Sequence, residues 1–148
     1  MPYSARPRFK LHPVVPPETD THEAVATMLW KLVLPPAAWN CFPAGHIALD
    51  GQQGAKLQRM GLKPGWPDFQ LFHRAQPYGI ELKRPGQGLS RGGFVRTRVH
   101  GQMRWRPGQV ETFAELEAAG WIIAVCHDPV EVRDQLLRWG IPLRGHSL

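Results

Sequence analysis

The feature that most constrains the fold is a pair of short, strand-like segments at 68–73 and 80–83, separated by a turn-forming sequence at 76–79. Strand-like segments with Gly and Pro between them predict an antiparallel β-hairpin. An antiparallel hairpin brings the head of its first strand beside the end of its second strand. The rest of the fold must therefore be built around this hairpin.

Helices and strands are predicted on both sides of the hairpin. In chain order they are a helix at 20–34 that stops at Pro35-Pro36, a strand at 39–49 broken at 43–45, a short helix at 55–60, an arginine-rich hairpin of 94–99 and 102–106, a helix at 109–119, a buried strand at 121–126, and a helix that starts with a capping box at 128–131 and ends at Gly140. This order predicts an α/β fold with one central mixed β-sheet flanked by helices.

Length and composition predict one domain in a reducing compartment. A chain of 148 residues suits a single domain. We expect the proline-rich segment 1–17 to form an extended arm and 18–148 to form the domain, with the arginine-rich hairpin as an insert at about 84–107. No apolar run of about 18 residues is present to cross a membrane, no signal-peptide core follows the N-terminus, and Cys41 and Cys126 do not form a disulfide framework. We therefore expect a cytoplasmic protein with no membrane partner.

The first predicted helix is apolar on two sides. Val25 and Leu29 belong to one apolar stripe, and Trp30 belongs to a second stripe on the far side. Such a helix is predicted to be buried between layers, so that Glu23 points toward a specific partner. The local alternative is that Glu23 completes a capping box with Asp20, three residues earlier.

Positive charge is concentrated in one part of the sequence. The chain has 18 Lys and Arg against 12 Asp and Glu, and no acidic residue lies between Leu82 and Val110. The basic residues of that segment are Lys83, Arg84, Arg91, Arg96, Arg98, Arg104 and Arg106. Planar guanidinium groups suit phosphate recognition, so the segment predicts a nucleic-acid-binding surface. The alternative is a solvated basic face with no partner.

The predicted second hairpin carries a large share of this charge. Its arginines alternate along the strands and are expected to line one face of the hairpin; they are Arg96, Arg98, Arg104 and Arg106. That face would contact phosphates without reading the base sequence, unless the hairpin serves dimer contacts instead. Trp66 and Trp105 lie in basic or loop surroundings and are candidates for stacking on bases.

The first hairpin places two carboxylates together. Asp68 begins one strand, and Glu81 and Lys83 share a face of the other strand. Two adjacent carboxylates are costly unless a cation lies between them. A divalent ion with oxygen ligands, Mg²⁺ or Mn²⁺, resolves this cost. Metal, water and a basic surface together predict phosphodiester hydrolysis, whereas the simpler alternative is a cross-strand ion pair of Glu81 and Lys83.

These residues resemble a known family. Pro67-Asp68 followed by Glu81-Leu82-Lys83 is similar to the motif of the PD-(D/E)XK nucleases. The fuller pattern resembles the VRR-NUC branch of that superfamily; it comprises Glu23 in the first helix, the loop Gly61-x-x-x-Gly65-x-Pro67-Asp68, the strand Ile80-Glu81-Leu82-Lys83, and Gln109 at the start of a helix that precedes Gly120 and a strand. The resemblance implies a restriction-endonuclease-like fold and metal-dependent DNA cleavage.

The resemblance also implies roles for individual residues. Asp68 and Glu81 would bind the metal, with the Leu82 carbonyl as a further ligand and Glu23 completing the site. Lys83 would serve the attacking water, and Gln109 would position the lysine or the scissile phosphate. In many family members this glutamine follows the strand more closely, whereas here segment 84–108 intervenes. The rival glutamines are Gln87 and Gln102, and Gln109 fits best because a helix follows it directly.

Taken together, these features predict a divalent-metal-dependent DNA endonuclease. The chain is small for an extensive recognition domain, so specificity for branched DNA, including four-way junctions, is favoured. A homodimer would place two sites across symmetric strands. The alternatives are a sequence-specific or nicking endonuclease of the same fold and a non-catalytic, basic nucleic-acid-binding domain. A purely structural module explains neither the acid-free segment nor the grouping of Asp68, Glu81 and Lys83.

Overall fold

A computed structural model describes residues 16–42, 51–96 and 101–146. The elements in chain order are α1 (Glu18–Leu32), β1 (Ala38–Cys41), α2 (Gly51–Arg59), β2 (Phe69–His73), β3 (Gln76–Leu82), β4 (Gly93–Arg96), β5 (Met103–Arg106), α3 (Gln109–Ala118), β6 (Ile122–Cys126) and α4 (Pro129–Arg138). Four expectations lie wholly or partly outside the described residues: the arm at 1–17, the end of the strand predicted at 39–49, the end of the strand predicted at 94–99 together with Arg98, and the turn at His100.

The central sheet is mixed, as predicted. Its strand order is β1-β2-β3-β6, with β1, β2 and β3 antiparallel in sequence and β6 parallel to β3. A parallel pair requires a long crossover connection. The crossover from β3 to β6 contains α3 and a separate two-stranded sheet of β4 and β5. The α/β prediction is therefore confirmed at the level of a mixed central sheet with helices.

The turn of the first hairpin was predicted wrongly. Gln76 to Gly79 form the first half of β3, and the turn consists of Arg74 and Ala75, which have φ angles of 51° and 62°. Two successive residues of positive φ match the right-handed twist of paired strands. Such turns are usually marked by Asn and Gly, and Arg-Ala carries no such signal.

One face of the sheet is covered by α1 and α4. The fully buried side chains on this side include Val25 and Leu29 of α1, Ile80 and Leu82 of β3, and Leu136 of α4. Alternation along β3 then directs Glu81 to the opposite face, toward α3. The hydrophobic core thus fixes which side of the sheet receives the carboxylate.

The prediction that α1 is buried on both sides is wrong. Trp30 is 79% exposed, and Glu23 and Thr27 on the same side are also exposed. Trp30 makes an edge-to-face contact with Trp39, at 4.9 Å between ring centroids. The helix therefore has one core-facing side, which carries His22, Val25 and Leu29.

The end of the chain differs from prediction in two details. β6 was predicted to be buried, but it is the outer strand of the described sheet, and Ile122 and Val125 are exposed. At α4, the Asp128 side chain accepts a hydrogen bond from the Glu131 backbone N–H at 2.8 Å, as a capping box requires. The Glu131 carboxylate, however, accepts from the backbone N–H of His127 and not from that of Asp128.

Candidate metal and nucleic-acid site

The hairpin register brings Asp68 and Glu81 together. Phe69 of β2 is paired with Ile80 of β3, and continuing this register by one residue sets Asp68 opposite Glu81. The Leu82 backbone N–H donates to Asp68 Oδ2 at 2.8 Å. This bond holds the Asp68 carboxylate at the end of β3, where the sequence spacing predicts it.

The loop before Asp68 is fixed against the sheet and against α3. Pro67 packs on Gly79 of β3, where a Cβ atom would come within 2.7 Å of the proline ring. The Gln70 side-chain amide donates to the Pro67 carbonyl at 2.6 Å. Gly65 has a φ of 84° and lies against Thr112 of α3. The glycine at position 79 is therefore needed for the close approach that sets the backbone before Asp68.

Glu81 has one satisfied and one unsatisfied oxygen. Its side chain is only 3% exposed, and Oε1 lies 2.8 Å from Lys83 Nζ. The same oxygen accepts a hydrogen bond from the Gln109 side-chain amide. Oε2 is buried and has no hydrogen-bond partner among the described residues. Because an unpaired buried polar atom costs about 1–3 kcal/mol, a further partner at Oε2 would stabilise the protein.

The surroundings of Glu81 disfavour its charged form. Burial raises the pKa of Glu81, and the negative charge of Asp68 raises that pKa further. Hydrogen bonding and charge from Lys83, and the hydrogen bond from Gln109, oppose the rise without cancelling it. A cation next to both carboxylates would reverse the balance, since its charge outweighs these local effects. The carboxylate pair thus carries a repulsion that a nearby cation would relieve.

Lys83 lies at the junction of the sheet and a cavity. Its backbone N–H continues the pairing with β6 by donating to the Cys126 carbonyl at 3.0 Å. The side chain is mostly buried and borders a cavity of about 400 Å³. Residues from the start of α1, from the end of β3 and from the start of α4 also line that cavity. Asp68 and Glu81 do not line this cavity, so of the charged motif residues at the carboxylates only Lys83 borders it.

Of the three glutamines considered from sequence, Gln109 is the one at the carboxylates. It is the first residue of α3, and its side-chain oxygen also accepts from the Ser90 backbone N–H at 3.3 Å. Gln87 and Gln102 are exposed on the surface. The long insertion before Gln109 does not displace it, because β4 and β5 pair with each other and the Gln109 backbone N–H donates to the Ser90 hydroxyl at 3.1 Å.

A clamp formed by Ser90, Gly92, Gly108 and Glu111 attaches the β4–β5 hairpin to α3. Glu111 Oε2 accepts from the backbone N–H groups of Gly92 at 2.7 Å and Gly108 at 2.8 Å. The Ser90 carbonyl accepts from Val110 N–H at 3.0 Å. Backbone hydrogen bonding, first from Gly108, lowers the pKa of Glu111. Sequence reasoning missed this clamp, although Gly108-x-x-Glu111 has the spacing of a capping box.

Glu23 is not brought to the carboxylates. It is exposed on α1, and within the described ranges it makes no hydrogen bond or ion pair with Asp68 or Glu81. Its neighbour His22 takes the inward position and stacks on Phe69, at 4.4 Å between ring centroids. The expectation that Glu23 points inward is therefore wrong, and its role at a metal stays a prediction. No group of three or more His, Cys, Asp and Glu side chains suited to a metal occurs in the part of the chain that the structure describes.

The hairpin arginines do not share one face. Directly paired residues of an antiparallel ladder lie on the same side, and Val95 pairs with Arg104 while Arg96 pairs with Met103. Arg104 and Arg106 therefore lie on one face and Arg96 on the other, which corrects the single-face prediction. Arg84 and Arg91 are exposed before the hairpin.

Arg104 and Arg106 border a second opening. They line a cleft of about 380 Å³ together with Lys63, and residues of α2 and α3 form its other walls. The one acidic residue that lines the cleft is Glu115. This cleft gives the arginine-rich hairpin a basic, concave side within the described residues.

The two tryptophans proposed as stacking residues differ in their surroundings. Trp66 makes an edge-to-face contact with Trp121, at 5.4 Å between ring centroids. Trp121 makes a similar contact with Phe72 at 5.9 Å, so Trp66 belongs to an aromatic cluster beside the loop. Trp105 lies on the projecting β4–β5 hairpin.

No family model matches this chain, and neither does a curated protein or a solved structure. Among the described helices, none combines the length and apolar character needed to cross a membrane.

Proposed function

We propose that this chain is a divalent-metal-dependent DNA endonuclease of the PD-(D/E)XK superfamily, in its VRR-NUC branch, with a restriction-endonuclease-like fold. The observation that carries the proposal is the buried, unpartnered Oε2 of Glu81 beside the Asp68 carboxylate. Lys83 and Gln109 both contact the other oxygen of Glu81, so the motif residues form one connected group.

The donor set fits Mg²⁺ or Mn²⁺. Both ions prefer carboxylate, carbonyl and water oxygens. Asp68, Glu81 and the Leu82 carbonyl would hold the ion. When bound, the ion supplies positive charge for the phosphate and lowers the pKa of a coordinated water. Glu81 is oriented to bind the ion because Lys83 and Gln109 both contact Oε1, which leaves Oε2 for the ion.

Lys83 is proposed to act on the water or the phosphate. Its Nζ is held 2.8 Å from Glu81 Oε1 and retains donors for a second partner. These donors would orient a water for attack on phosphorus or stabilise the negative charge that develops on the phosphate. In the reaction the oxygen of a water molecule bonds to phosphorus, and the bond between phosphorus and one sugar oxygen of the cut strand breaks. One proton of the water passes to solvent or to that leaving sugar oxygen.

The basic residues around the site support DNA as the substrate. Arg84, Arg91, Arg104 and Arg106 are exposed, and the last two line a concave cleft. Contacts of this kind bind the phosphate backbone and carry no direct sequence information. We therefore propose that the substrate is branched DNA, such as a four-way junction. We also propose that the active form is a homodimer and that it acts in the cytoplasm.

A second candidate is a non-catalytic nucleic-acid-binding domain. The arginine-rich hairpin by itself favours it, because backbone binding needs no metal. The unpartnered oxygen of Glu81 beside Asp68 favours the nuclease, because binding of the phosphate backbone does not require a buried pair of carboxylates.

A substrate panel tests the proposal. Purified protein is incubated with a four-way junction, a flap, single strands and linear duplex, each in Mg²⁺, Mn²⁺ or EDTA. Paired, symmetric cuts in the junction that need the metal are expected. Cutting of duplex at defined sequences would indicate a sequence-specific or nicking nuclease and would contradict specificity for branched DNA. Salt-sensitive binding without cutting in either metal would favour the non-catalytic domain.

A further inference from the structure

Two aromatic side chains project from the β4–β5 hairpin. Phe94 and Trp105 are paired across the strands, and their rings meet edge to face at 5.3 Å. Phe94 is 66% exposed and Trp105 is 49% exposed. Large apolar side chains that are grouped and exposed mark an interaction surface more often than isolated ones do.

The pair is held in place by the hairpin base. Trp105 lies so close to Gly92 that a Cβ atom there would be 2.6 Å from the indole Cζ2. The Gly92 backbone N–H is in turn bonded to Glu111 of α3. The indole is therefore fixed on one side by backbone and open on the other, which lowers the entropy cost of binding to it.

The charge around the pair indicates an anionic partner. Arg96 shares the face of Phe94 and Trp105, while Arg104 and Arg106 lie on the opposite face. No acidic residue occurs between Leu82 and Val110. Fixed aromatic rings with arginines on both sides suit nucleic acid whose bases are unpaired, because every base offers a flat face for stacking and every nucleotide a phosphate. A continuous duplex has no unstacked base to offer.

We propose that Phe94 and Trp105 form a stacking wedge that inserts at unpaired bases, and thereby selects DNA opened at a branch or gap over continuous duplex. The proposal rests on the proposed function and deepens it, since it names the substrate feature that is recognised. The hairpin base is bonded to Gln109, which contacts Glu81. Wedge and carboxylates are thus parts of one connected unit.

The test uses binding without cleavage. A junction with unpaired bases at its branch point, one of them 2-aminopurine, and a matched duplex carrying 2-aminopurine at the same position are titrated with full-length protein in EDTA. The wild type is expected to quench the fluorescence of the junction and to bind it about tenfold or more tightly than duplex, the scale of one stacked base. Trp105→Ala and Phe94→Ala should lose the quenching and the preference, while duplex affinity changes less than about twofold.

Two controls make the result specific. Val95→Ala alters the opposite face of the hairpin, and Trp30→Ala removes an exposed tryptophan on α1. Both should bind as the wild type does. Quenching and preference retained in Trp105→Ala would overturn the wedge, and so would the absence of any DNA binding. Because cleavage is measured separately in Mg²⁺, a wild type that quenches but never cuts would keep the wedge and reject the nuclease.

Discussion

Lys83 Nζ lies 2.8 Å from Oε1 of Glu81, while Oε2 of the same carboxylate is buried without a partner among the described residues. The lysine therefore neutralises only part of the charge that Glu81 and Asp68 bring together. A buried ion pair would normally be complete, with all its oxygens satisfied. The proposed metal site rests on this incomplete pairing.

The first prediction concerns cation binding at Asp68. Asp68→Asn keeps an oxygen that can accept from Leu82 N–H, but it removes one of the two negative charges. We expect wild type at about 100 times the Kd for Mn²⁺ to be stabilised by about 2.7 kcal/mol, and the variant to show little stabilisation. Thermal unfolding with Mn²⁺ and with EDTA measures this difference.

The control for Asp68→Asn is Glu117→Gln, because Glu117 is an exposed carboxylate on α3. It should keep the full Mn²⁺ response. In EDTA, Asp68→Asn should be at least as stable as the wild type, since it relieves the repulsion that raises the pKa of Glu81. An equal response to Mn²⁺ in wild type and Asp68→Asn would contradict the proposed site.

The second prediction follows from the raised pKa of Glu81. Without metal, the Glu81 carboxyl group ionises near pH 4.5 in the unfolded chain and at a higher pH in the folded chain, because its folded pKa is raised. The folded state binds more protons in that window, so the free energy of unfolding falls as the pH rises from 4.5 through the folded pKa and then levels off. Glu81→Gln should lack this fall. Unfolding in EDTA across the pH range gives the slope of the free energy of unfolding against pH for the wild type and for Glu81→Gln. Parallel slopes in the two proteins would count against the raised pKa of Glu81.

These predictions also show where sequence reasoning succeeded. The spacing of Asp68 and Glu81 predicted their adjacency, because hairpin register follows from strand alternation even though the turn was assigned to the wrong residues. Gln109 was found because a helix start is marked locally. Glu23 was misplaced because two apolar stripes on α1 suggested two buried sides, and only the packing of α1 on the sheet decides between them. At the clamp, the bond from Gly108 to Glu111 has the local spacing of a capping box, but the bond from Gly92 to Glu111 joins segments that are distant in sequence, which no local pattern reports.

The third prediction separates chemistry from binding at Lys83. Lys83→Met keeps much of the side-chain length and removes the ammonium. Cleavage of the preferred substrate should fall by about 10²–10⁴-fold, the usual effect of losing a group that stabilises transition-state charge or orients water. DNA affinity should change little, because a single phosphate contact is a small part of the total. Lys31→Gln, a change of an exposed lysine on α1, is the matched control. Equal loss of binding and cleavage would instead make Lys83 a DNA contact.

The fourth prediction concerns the clamp between the hairpin and α3. Glu111→Gln weakens two hydrogen bonds to backbone N–H groups, those of Gly92 and Gly108. Hydrogen exchange at Gly92 and Gly108 should become faster at neutral pH, while exchange in β2 and β3 stays unchanged. In the wild type the same loosening should appear as the pH falls through the lowered pKa of Glu111, since the clamp needs the carboxylate form. Unchanged protection in the variant would mean that other contacts hold the hairpin.

The most direct measurement of the central claim is cleavage by matched carboxylate variants. Wild type, Asp68→Asn, Glu81→Gln and Glu117→Gln are mixed in excess with the preferred DNA in Mg²⁺, and cutting and binding are followed in the same samples. We expect wild type and Glu117→Gln to cut, and Asp68→Asn and Glu81→Gln to bind the DNA without cutting it. Cutting by Asp68→Asn at the wild-type rate, or by wild type in EDTA, would contradict metal-dependent hydrolysis at Asp68 and Glu81.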